Sequence, residues 1–166
     1  MFHAKTFKKG EFLVKENNYC NELSFVSSGI FRIYSNYEDK EITQWLSGTN
    51  SFVTEISSFL FEQASRWNIQ AIEDCNVFSI SKTDYKKIAS FVPRWNEMEK
   101  LFIAKCFATL ESRVFSHLAM NAEERFLLFS SLYPDLISSV PLQYLASLLG
   151  MTPETLSRIR KKQSTS

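Results

Sequence analysis

The clearest pattern in this chain lies in residues 141–162, PLQYLASLLGMTPETLSRIRKK. Its first half carries apolar residues at helical spacing, namely Leu142, Leu145, Ala146 and Leu149. Gly150 follows at once, where the end of a helix favours a residue that tolerates left-handed backbone geometry. Thr152 and Pro153 then suit the N-cap and the first position of a new helix. The pattern therefore predicts two helices joined by a tight turn.

The second of these helices has two different faces. Leu156 and Ile159 face back toward the first helix, and the small Ala146 lets the two helices cross closely. The opposite face carries Glu154, Ser157, Arg158 and Lys161. The basic residues Arg158, Arg160, Lys161 and Lys162 come after the last acidic residue, Glu154. A helix-turn-helix with a basic end favours DNA reading, while a purely structural hairpin whose basic residues complement the helix dipole is the alternative.

Composition limits the class of protein. The chain has 166 residues, a 45% hydrophobic content with 15 Phe, and a net charge of +1, so it can fill a core and any nucleic-acid contact is confined to a local basic tip. Cys20, Cys75 and Cys106 lack the spacing of a disulfide framework or of a zinc or iron–sulfur cluster. Reduced thiols, no signal peptide and no apolar run near about 18 residues predict a cytoplasmic protein without a membrane partner.

The first half of the chain alternates short strand patterns with turns, between about Thr6 and Ile80. The predicted strands cover residues 12–14, 23–26, 30–34, 42–46, 67–71 and 77–80. Turn residues such as Gly10, Gly29 and Gly48 separate them. Residues 54–61 could form a short helix between strands. Many short strands at near-regular spacing predict a β-sandwich or jelly roll.

From Lys82 onward the pattern is helical. A short helix over residues 84–91, capped by Ser81 or Thr83, precedes a long helix over 94–118 and an amphipathic helix over 122–132. The long helix is apolar on more than one side, so more than one side needs a cover. One side could meet the β domain and the other the same helix of a second subunit; burial within one chain is the alternative. We divide the chain into the β domain (1–93), the long helix (94–119) and the C-terminal part with the helix-turn-helix (120–166).

Motifs in both halves carry a family resemblance. They are KKGEFLVKE (8–16), ELSFVSSGIFRIY (22–34), DKEIT (39–43), AEERFLLF (122–129) and YLASLLGMTPETLSRIRKK (144–162). The chain resembles the family of the cyclic-AMP receptor protein and the FNR regulator (Crp/Fnr), and its two C-terminal motifs look most like the branch common in Bacteroidetes. The resemblance implies an α+β fold: a cyclic-nucleotide-binding-like β-sandwich (double-stranded β-helix, or jelly roll), a long dimerisation helix and a C-terminal helix-turn-helix.

The resemblance also implies a homodimeric transcription regulator on a near-palindromic double-stranded DNA operator, with RNA polymerase as a further candidate partner. The residues implied in DNA binding are Thr152, Glu154, Thr155, Ser157, Arg158, Lys161 and Lys162, and those implied in the dimer interface are Met98, Leu101, Phe102, Lys105 and Thr109. Arg158 could bridge guanine and Glu154 could accept from cytosine. The sequence stops at Ser166, so the family's β-hairpin wing is expected to be absent and the affinity weaker.

The family's phosphate cassette is altered here. Glu55 matches the glutamate that holds the ribose, but Thr54 stands where the family has glycine and Ser65 where it has arginine. The neighbouring Arg66 should point to the opposite face of an extended strand. A phosphate without its guanidinium is poorly compensated, so Glu55, Ser65 and Arg66 form at best a possible ligand pocket, and a cyclic nucleotide is disfavoured as the effector.

Other occupants of this pocket are another small molecule or the chain's own aromatic residues Phe52, Phe59, Phe61 and Trp67. We expect Glu55 to be a solvated cap of its short helix. An iron–sulfur sensor lacks its cysteine cluster, and a haem sensor would have only His3 or His117 as an axial ligand. We therefore predict no cofactor and no bound metal.

Enzyme function is not predicted. A metal-dependent cupin needs a cluster of histidine and carboxylate ligands, and a hydrolase needs a paired nucleophile and base. Neither pattern is visible in the sequence. The alternative to a regulator is a small-molecule-binding or protein-interaction module with a vestigial DNA-binding tail.

Overall fold

The structure, a computed structural model, describes residues 1–163. Two compact units divide the chain between Lys87 and Ile88, which is before the boundary predicted after residue 93. The first unit is a β-sandwich with short helices. The second unit is helical throughout its described part. The α+β class and the N-terminal sandwich are thus as the sequence predicts.

The sandwich consists of two antiparallel four-stranded sheets. Its strands are β1 (Phe2–Phe7), β2 (Phe12–Val14), β3 (Glu22–Ser28), β4 (Phe31–Tyr37), β5 (Lys40–Ser47), β6 (Ser51–Val53), β7 (Asn68–Ala71) and β8 (Cys75–Ser81). The strand orders are β1-β8-β3-β6 and β2-β7-β4-β5. The sequence pattern placed the start of the sandwich near Thr6 and missed β6. Strand β6 is defined by its pairing with β3, which the sequence pattern does not show.

Two short helices interrupt the strands. Helix α1 (Ile56–Phe61) lies between β6 and β7, within the predicted range 54–61. Helix α2 (Lys82–Tyr85) begins at Ser81, whose side chain accepts a hydrogen bond from the Asp84 amide. The helix predicted over 84–91 is not continuous, because α2 ends at Tyr85 and a separate 3₁₀ turn covers Ile88–Ser90.

The interior of the sandwich is filled by side chains. On β4, Phe31 and Ile33 point into the core, as do Cys75 and Val77 on β8. Trp45 and Trp67 are partly buried and pack against this core. The alternation of strand side chains therefore places the intervening residue Arg32 on the opposite face of β4.

The second unit contains five helices in its described part. They are α3 (Trp95–Ala119), α4 (Ala122–Leu132), α5 (Pro134–Ser139), α6 (Leu142–Leu148) and α7 (Pro153–Gln163). Helix α4 has the bounds that the sequence predicts, because Asn121 and Glu124 form a capping box at its start. Helix α5 was not predicted. Pro134 supplies its first residue.

Within residues 1–163, none of the helices is both long and apolar enough to cross a bilayer.

The turn between β3 and β4 is closely packed around Gly29. Its φ is +93°, and a Cβ there would lie 2.5 Å from Cys75 Sγ and 2.7 Å from the Asp74 carbonyl oxygen. We expect Gly29→Ala to lower the free energy of unfolding by about 2–4 kcal/mol, because backbone strain and overpacking act together. Urea unfolding followed by circular dichroism measures this change.

Gly10→Ala is the matched control for this substitution. Gly10 has a similar φ of +90°, but nothing lies within 4 Å of its added Cβ. Only the conformational cost of about 1 kcal/mol should then remain. Equal losses for the two variants would show that contact with Cys75 and Asp74 does not matter.

Candidate functional site

The turn between α6 and α7 is the best-defined feature of the second unit. Gly150 has φ +64°. The Gly150 amide donates to the Ser147 carbonyl oxygen at 3.2 Å, and the Met151 amide donates to the Ala146 carbonyl oxygen at 3.0 Å. This pair of hydrogen bonds is a Schellman motif, which satisfies the last carbonyl groups of α6. The predicted role of Gly150 is confirmed.

Helix α7 begins immediately after this turn. Pro153 is its first residue, and the Thr152 hydroxyl oxygen accepts a hydrogen bond from the Thr155 amide at 3.2 Å. The Thr152 hydroxyl also donates to the Thr155 hydroxyl at 3.1 Å. The predicted N-cap is confirmed, and both threonine side chains are engaged in holding the start of α7.

The two faces of α7 differ sharply in exposure. Leu156 and Ile159 are buried, as are Leu145 and Ala146 of α6, the helix on which α7 packs. The opposite face is exposed and carries Glu154, Ser157, Arg158 and Lys161. Burial of the apolar stripe therefore directs a guanidinium, an ammonium, a hydroxyl and a carboxylate outward along one side of the helix.

The Glu154 carboxylate is held in its charged form. Its own backbone amide donates a hydrogen bond that lowers the pKa of Glu154 from its ordinary value, and the Thr152 side chain lowers it further. An ionised carboxylate near the start of a helix is also favoured by the helix dipole. Glu154 can thus stabilise α7 and still offer an acceptor to an outside group.

Lys162 joins α7 to α4, because its ammonium lies 3.0 Å from both carboxylate oxygens of Glu123. The side-chain amide of Gln163 donates to the same carboxylate at 3.1 Å. The end of α7 is thereby tied to the first turn of α4. Lys162 is thus a residue predicted to contact DNA that also has an ion-pair partner within the unit.

Arg125 is a residue that the sequence analysis missed. Its guanidinium donates to the carbonyl oxygens of Met120, Leu149 and Gly150, at 2.6, 2.8 and 3.3 Å. A faint signal existed, because Arg125 lies near the start of α4, where the helix dipole disfavours a cation. Its partners are carbonyl groups that no side-chain pattern announces.

Helix α3 exposes a large apolar surface. Nine of its large apolar side chains are at least 41% exposed: Met98, Leu101, Phe102, Ile103, Phe107, Leu110, Val114, Phe115 and Leu118. The five residues predicted in a dimer interface, Met98, Leu101, Phe102, Lys105 and Thr109, all lie on α3, with Thr109 partly buried and the others exposed. Such a surface is unusual for a helix in water.

In the sandwich unit, Glu55 caps α1. Its carboxylate accepts a hydrogen bond from the Ser58 amide at 2.6 Å, and the residue is only 5% exposed. The expectation of a solvated residue is therefore wrong, although the expected capping role is confirmed. This carboxylate at the start of α1 is therefore largely shielded from water.

Ser65 and Arg66 precede β7 in a bend, outside the strand that the sequence predicts over 67–71. The buried Ser65 hydroxyl donates to the Trp67 carbonyl oxygen at 2.7 Å and accepts from the Trp67 amide at 3.1 Å. Arg66 is exposed, with its guanidinium 5.5 Å from the centre of the Trp67 ring. The residues predicted for a pocket thus combine a buried carboxylate, a hydroxyl with backbone partners and an outward cation.

The Glu55 carboxylate disfavours a phosphate beside it. A phosphodiester buried next to a carboxylate is electrostatically unfavourable unless a guanidinium compensates the two charges. Of the aromatic residues expected to fill the pocket, Phe59 is buried and Trp67 packs on the core. Phe52 and Phe61 are exposed, so their expected place inside is wrong. The Phe52 ring instead packs edge-to-face against the Phe25 ring, with 5.2 Å between the ring centres.

Arg32 is a buried arginine that the sequence analysis did not select. It is 2% exposed, its Nε donates to the Thr43 hydroxyl at 2.9 Å, and its Nη1 lies 2.5 Å from a Glu41 carboxylate oxygen. Its guanidinium stacks 4.3 Å from the centre of the Tyr34 ring. Because it lies on the face of β4 opposite Phe31 and Ile33, it is not a substitute for the cassette arginine.

The cysteines and histidines lie apart from one another or have other partners. No group of three or more potential ligands occurs in the part of the chain that the structure describes. Burial raises the pKa of the Cys75 thiol to about 11. His3 Nε2 lies 3.5 Å from Glu22 Oε1. His117 Nδ1 lies 2.9 Å from the Arg113 carbonyl oxygen.

The first unit matches a known protein family. The sequence profile described as "Cyclic nucleotide-binding domain" matches residues 4–90, which is more than half of the chain. A search of curated protein sequences finds no match.

Solved structures resemble the chain over 99% of its length. FixK2 from Bradyrhizobium japonicum has a TM-score of 0.83 at 17% identity, over 85% of that chain. A CooA variant from Carboxydothermus hydrogenoformans has a TM-score of 0.73 at 20% identity, over 77% of that chain. CLP of Xanthomonas campestris, a regulator responsive to c-di-GMP, has a TM-score of 0.72 at 17% identity, over 87% of that chain. At these identities the likeness establishes the fold.

The pocket geometry generates a binding prediction. We expect about 1 mM cyclic AMP or cyclic GMP to leave the thermal midpoint of unfolding unchanged, since micromolar binding would add about 4 kcal/mol of stability. Differential scanning calorimetry measures the midpoint. A ligand-dependent rise of several degrees would show that the residues around Glu55 and Ser65 accommodate the phosphate after all.

Proposed function

Because the chain belongs to the family of proteins with a cyclic nucleotide-binding domain, we propose that it is a homodimeric transcription regulator of the Crp/Fnr type. It belongs, on this proposal, to the branch common in Bacteroidetes and acts in the cytoplasm. It is not an enzyme. Its partners are a near-palindromic DNA operator and RNA polymerase.

The observation that carries this proposal is the arrangement of α7. The buried pair Leu156 and Ile159 holds one face of the helix, and the opposite face presents Arg158 and Lys161 to solvent. A helix that packs on the preceding helix and is joined to it by a tight turn can enter the major groove of DNA with its exposed face. α6 and α7 then form a helix-turn-helix, in which α7 is the recognition helix.

The exposed side chains have distinct roles in this proposal. Arg158 donates two hydrogen bonds to the O6 and N7 atoms of a guanine, which gives sequence specificity. Glu154 accepts from a cytosine amino group, and Ser157 contacts a base or a phosphate. Thr152 and Thr155 act indirectly, by capping α7. Lys161 contacts phosphate, and Lys162 does so only if it leaves Glu123.

The apolar surface of α3 supports dimerisation. Two stripes run along the helix: the first contains Met98, Leu101, Phe102, Lys105 and Thr109, and the second contains Ile103, Phe107, Leu110, Val114 and Leu118. The second stripe is apolar throughout and alternates steps of four and three residues over most of its length, the spacing of helices that pack side by side. We therefore assign the dimer contact to the second stripe, whereas the sequence prediction used the first.

On this proposal the dimer positions the two recognition helices on the DNA. Two copies of α7 would occupy successive major grooves about 34 Å apart. An effector, if one binds the sandwich, shifts the population between DNA-competent and incompetent arrangements. Because the residues around Glu55 do not suit a cyclic phosphate, that effector is not cyclic AMP bound through the usual cassette.

Selection from a random duplex pool tests DNA reading. We expect the protein to enrich a near-palindrome, and Arg158→Ala to weaken binding to it by about 1–3 kcal/mol and to relax the preference at one base pair. Fluorescence anisotropy at about 50 and 200 mM salt separates this loss from the phosphate contribution.

Arg94→Ala is the matched control, because Arg94 is an exposed arginine paired with Glu97 at the start of α3. It should leave operator binding unchanged. Binding that shows no sequence preference and does not respond to Arg158→Ala would contradict the proposed function and favour an interaction module with a vestigial tail.

Paired charge substitutions on α3 test the dimer. Phe107 and Leu101 are equally exposed, at 67% and 66%, but lie on different stripes. We expect Phe107→Glu to give a monomer, because a buried unpaired carboxylate at the contact is costly, and Leu101→Glu to leave the dimer intact. Sedimentation equilibrium measures the mass. The reverse result would assign the contact to the first stripe, and a monomeric wild-type protein would contradict dimerisation.

A further inference from the structure

We propose that Arg125 is the positioning residue that sets the direction of the recognition helix α7 relative to the end of α3. This inference rests on the proposed function, since it concerns how α7 is presented to DNA. Arg125 itself lies on α4 and is outside the set of residues predicted to contact DNA.

The geometry at Arg125 joins two helix ends. One guanidinium donates to Met120, the C-cap residue of α3, and to Leu149, the C-cap residue of α6. A third, longer hydrogen bond of 3.3 Å reaches Gly150 in the turn. The three hydrogen bonds use three different nitrogen atoms, Nη1, Nε and Nη2.

Helix ends explain why a cation belongs at this point. The last carbonyl groups of a helix lack intrahelical partners and carry partial negative charge. The ends of α3 and α6 converge on Arg125, so their carbonyl oxygens repel each other unless a donor lies between them. A planar guanidinium satisfies several acceptors in fixed directions, whereas an ammonium is a single point of charge.

His117 makes the same junction tight. Its ring lies against Gly150, because a Cβ added to Gly150 would be 3.3 Å from His117 Cδ2 and 4.0 Å from Arg125 Nη2. His117 belongs to the last turn of α3. The turn that precedes α7 is thus enclosed by a side chain from α3 and another from α4.

Helix α4 also contacts the C-terminal end of α7. Glu123 binds Lys162 and Gln163, the last residues of α7 that the structure describes. Arg125 therefore controls the start of α7 through the turn, and Glu123 holds its end. The buried pair Leu156 and Ile159 fixes α7 on α6 but does not by itself orient that pair of helices relative to α3.

Base contacts depend on this orientation more than phosphate contacts do. A bidentate hydrogen bond to a base edge is lost when the helix shifts by a small amount, while lysine–phosphate attraction tolerates the shift. A positioning residue should therefore change the ratio of operator affinity to non-specific affinity. A purely stabilising residue would change the folded fraction and leave that ratio alone.

Arg125→Lys tests this role, with Arg94→Lys as the matched control. The probes are the palindrome selected by the wild-type protein and a scrambled duplex of the same length, below the unfolding transition of both variants. We expect Arg125→Lys to bind the palindrome about tenfold or more weakly, because at least one charged hydrogen bond is lost, and to bind the scrambled duplex as the wild type does. Arg94→Lys should match the wild type on both.

Gly150→Ala provides a second variant if Arg125→Lys does not fold. Its added Cβ would crowd the His117 ring at the same junction. We expect it to lose affinity for the palindrome selectively, as Arg125→Lys does. Equal losses on both duplexes, or an unchanged ratio, would overturn the positioning role while the proposed function stands. A wild-type protein that selects no palindrome would overturn both.

Discussion

The constraint on which the rest of this protein depends is the apolar surface of α3. A helix of 25 residues that leaves side chains such as Phe107, Leu110 and Val114 in water is costly by itself. Covering it with a second copy removes that cost and, on the proposed function, also brings two recognition helices onto one face. The dimer would then be a consequence of burial, and the spacing of the DNA half-sites a consequence of the dimer.

The two units differ in how much freedom they retain. The sandwich core is filled, its cassette positions hold the buried Glu55 and Ser65, and Arg66 points outward. In the second unit, hydrogen bonds through Arg125 and the ion pair between Glu123 and Lys162 hold α7 at both ends. On the proposed function, the recognition helix is therefore held at both of its ends, while the buried carboxylate of Glu55 disfavours an anion beside it.

Local chemistry made much of the second unit predictable. Gly150 forms the left-handed turn, Thr152 caps α7, and α4 has its predicted bounds, because each depends on residues a few positions apart. The short elements β6 and α5 were missed, whereas β2 and α1, which have the same lengths, were predicted, so a period over three or six residues is too weak to be read reliably. The expected interior place of Phe61 was wrong because an apolar residue in a short helix can face either way.

The sequence by itself determined the order of the elements, the apolar stripe of α7 and the polar residues opposite it, because helical and strand periodicity are properties of neighbouring residues. Only the tertiary structure decided which polar groups meet. Arg32 lies against Tyr34 and Glu41, and Arg125 reaches carbonyl oxygens up to 25 positions away. Backbone carbonyl groups are the same at every position, so no sequence pattern marks the ones that a folded chain brings to a single guanidinium.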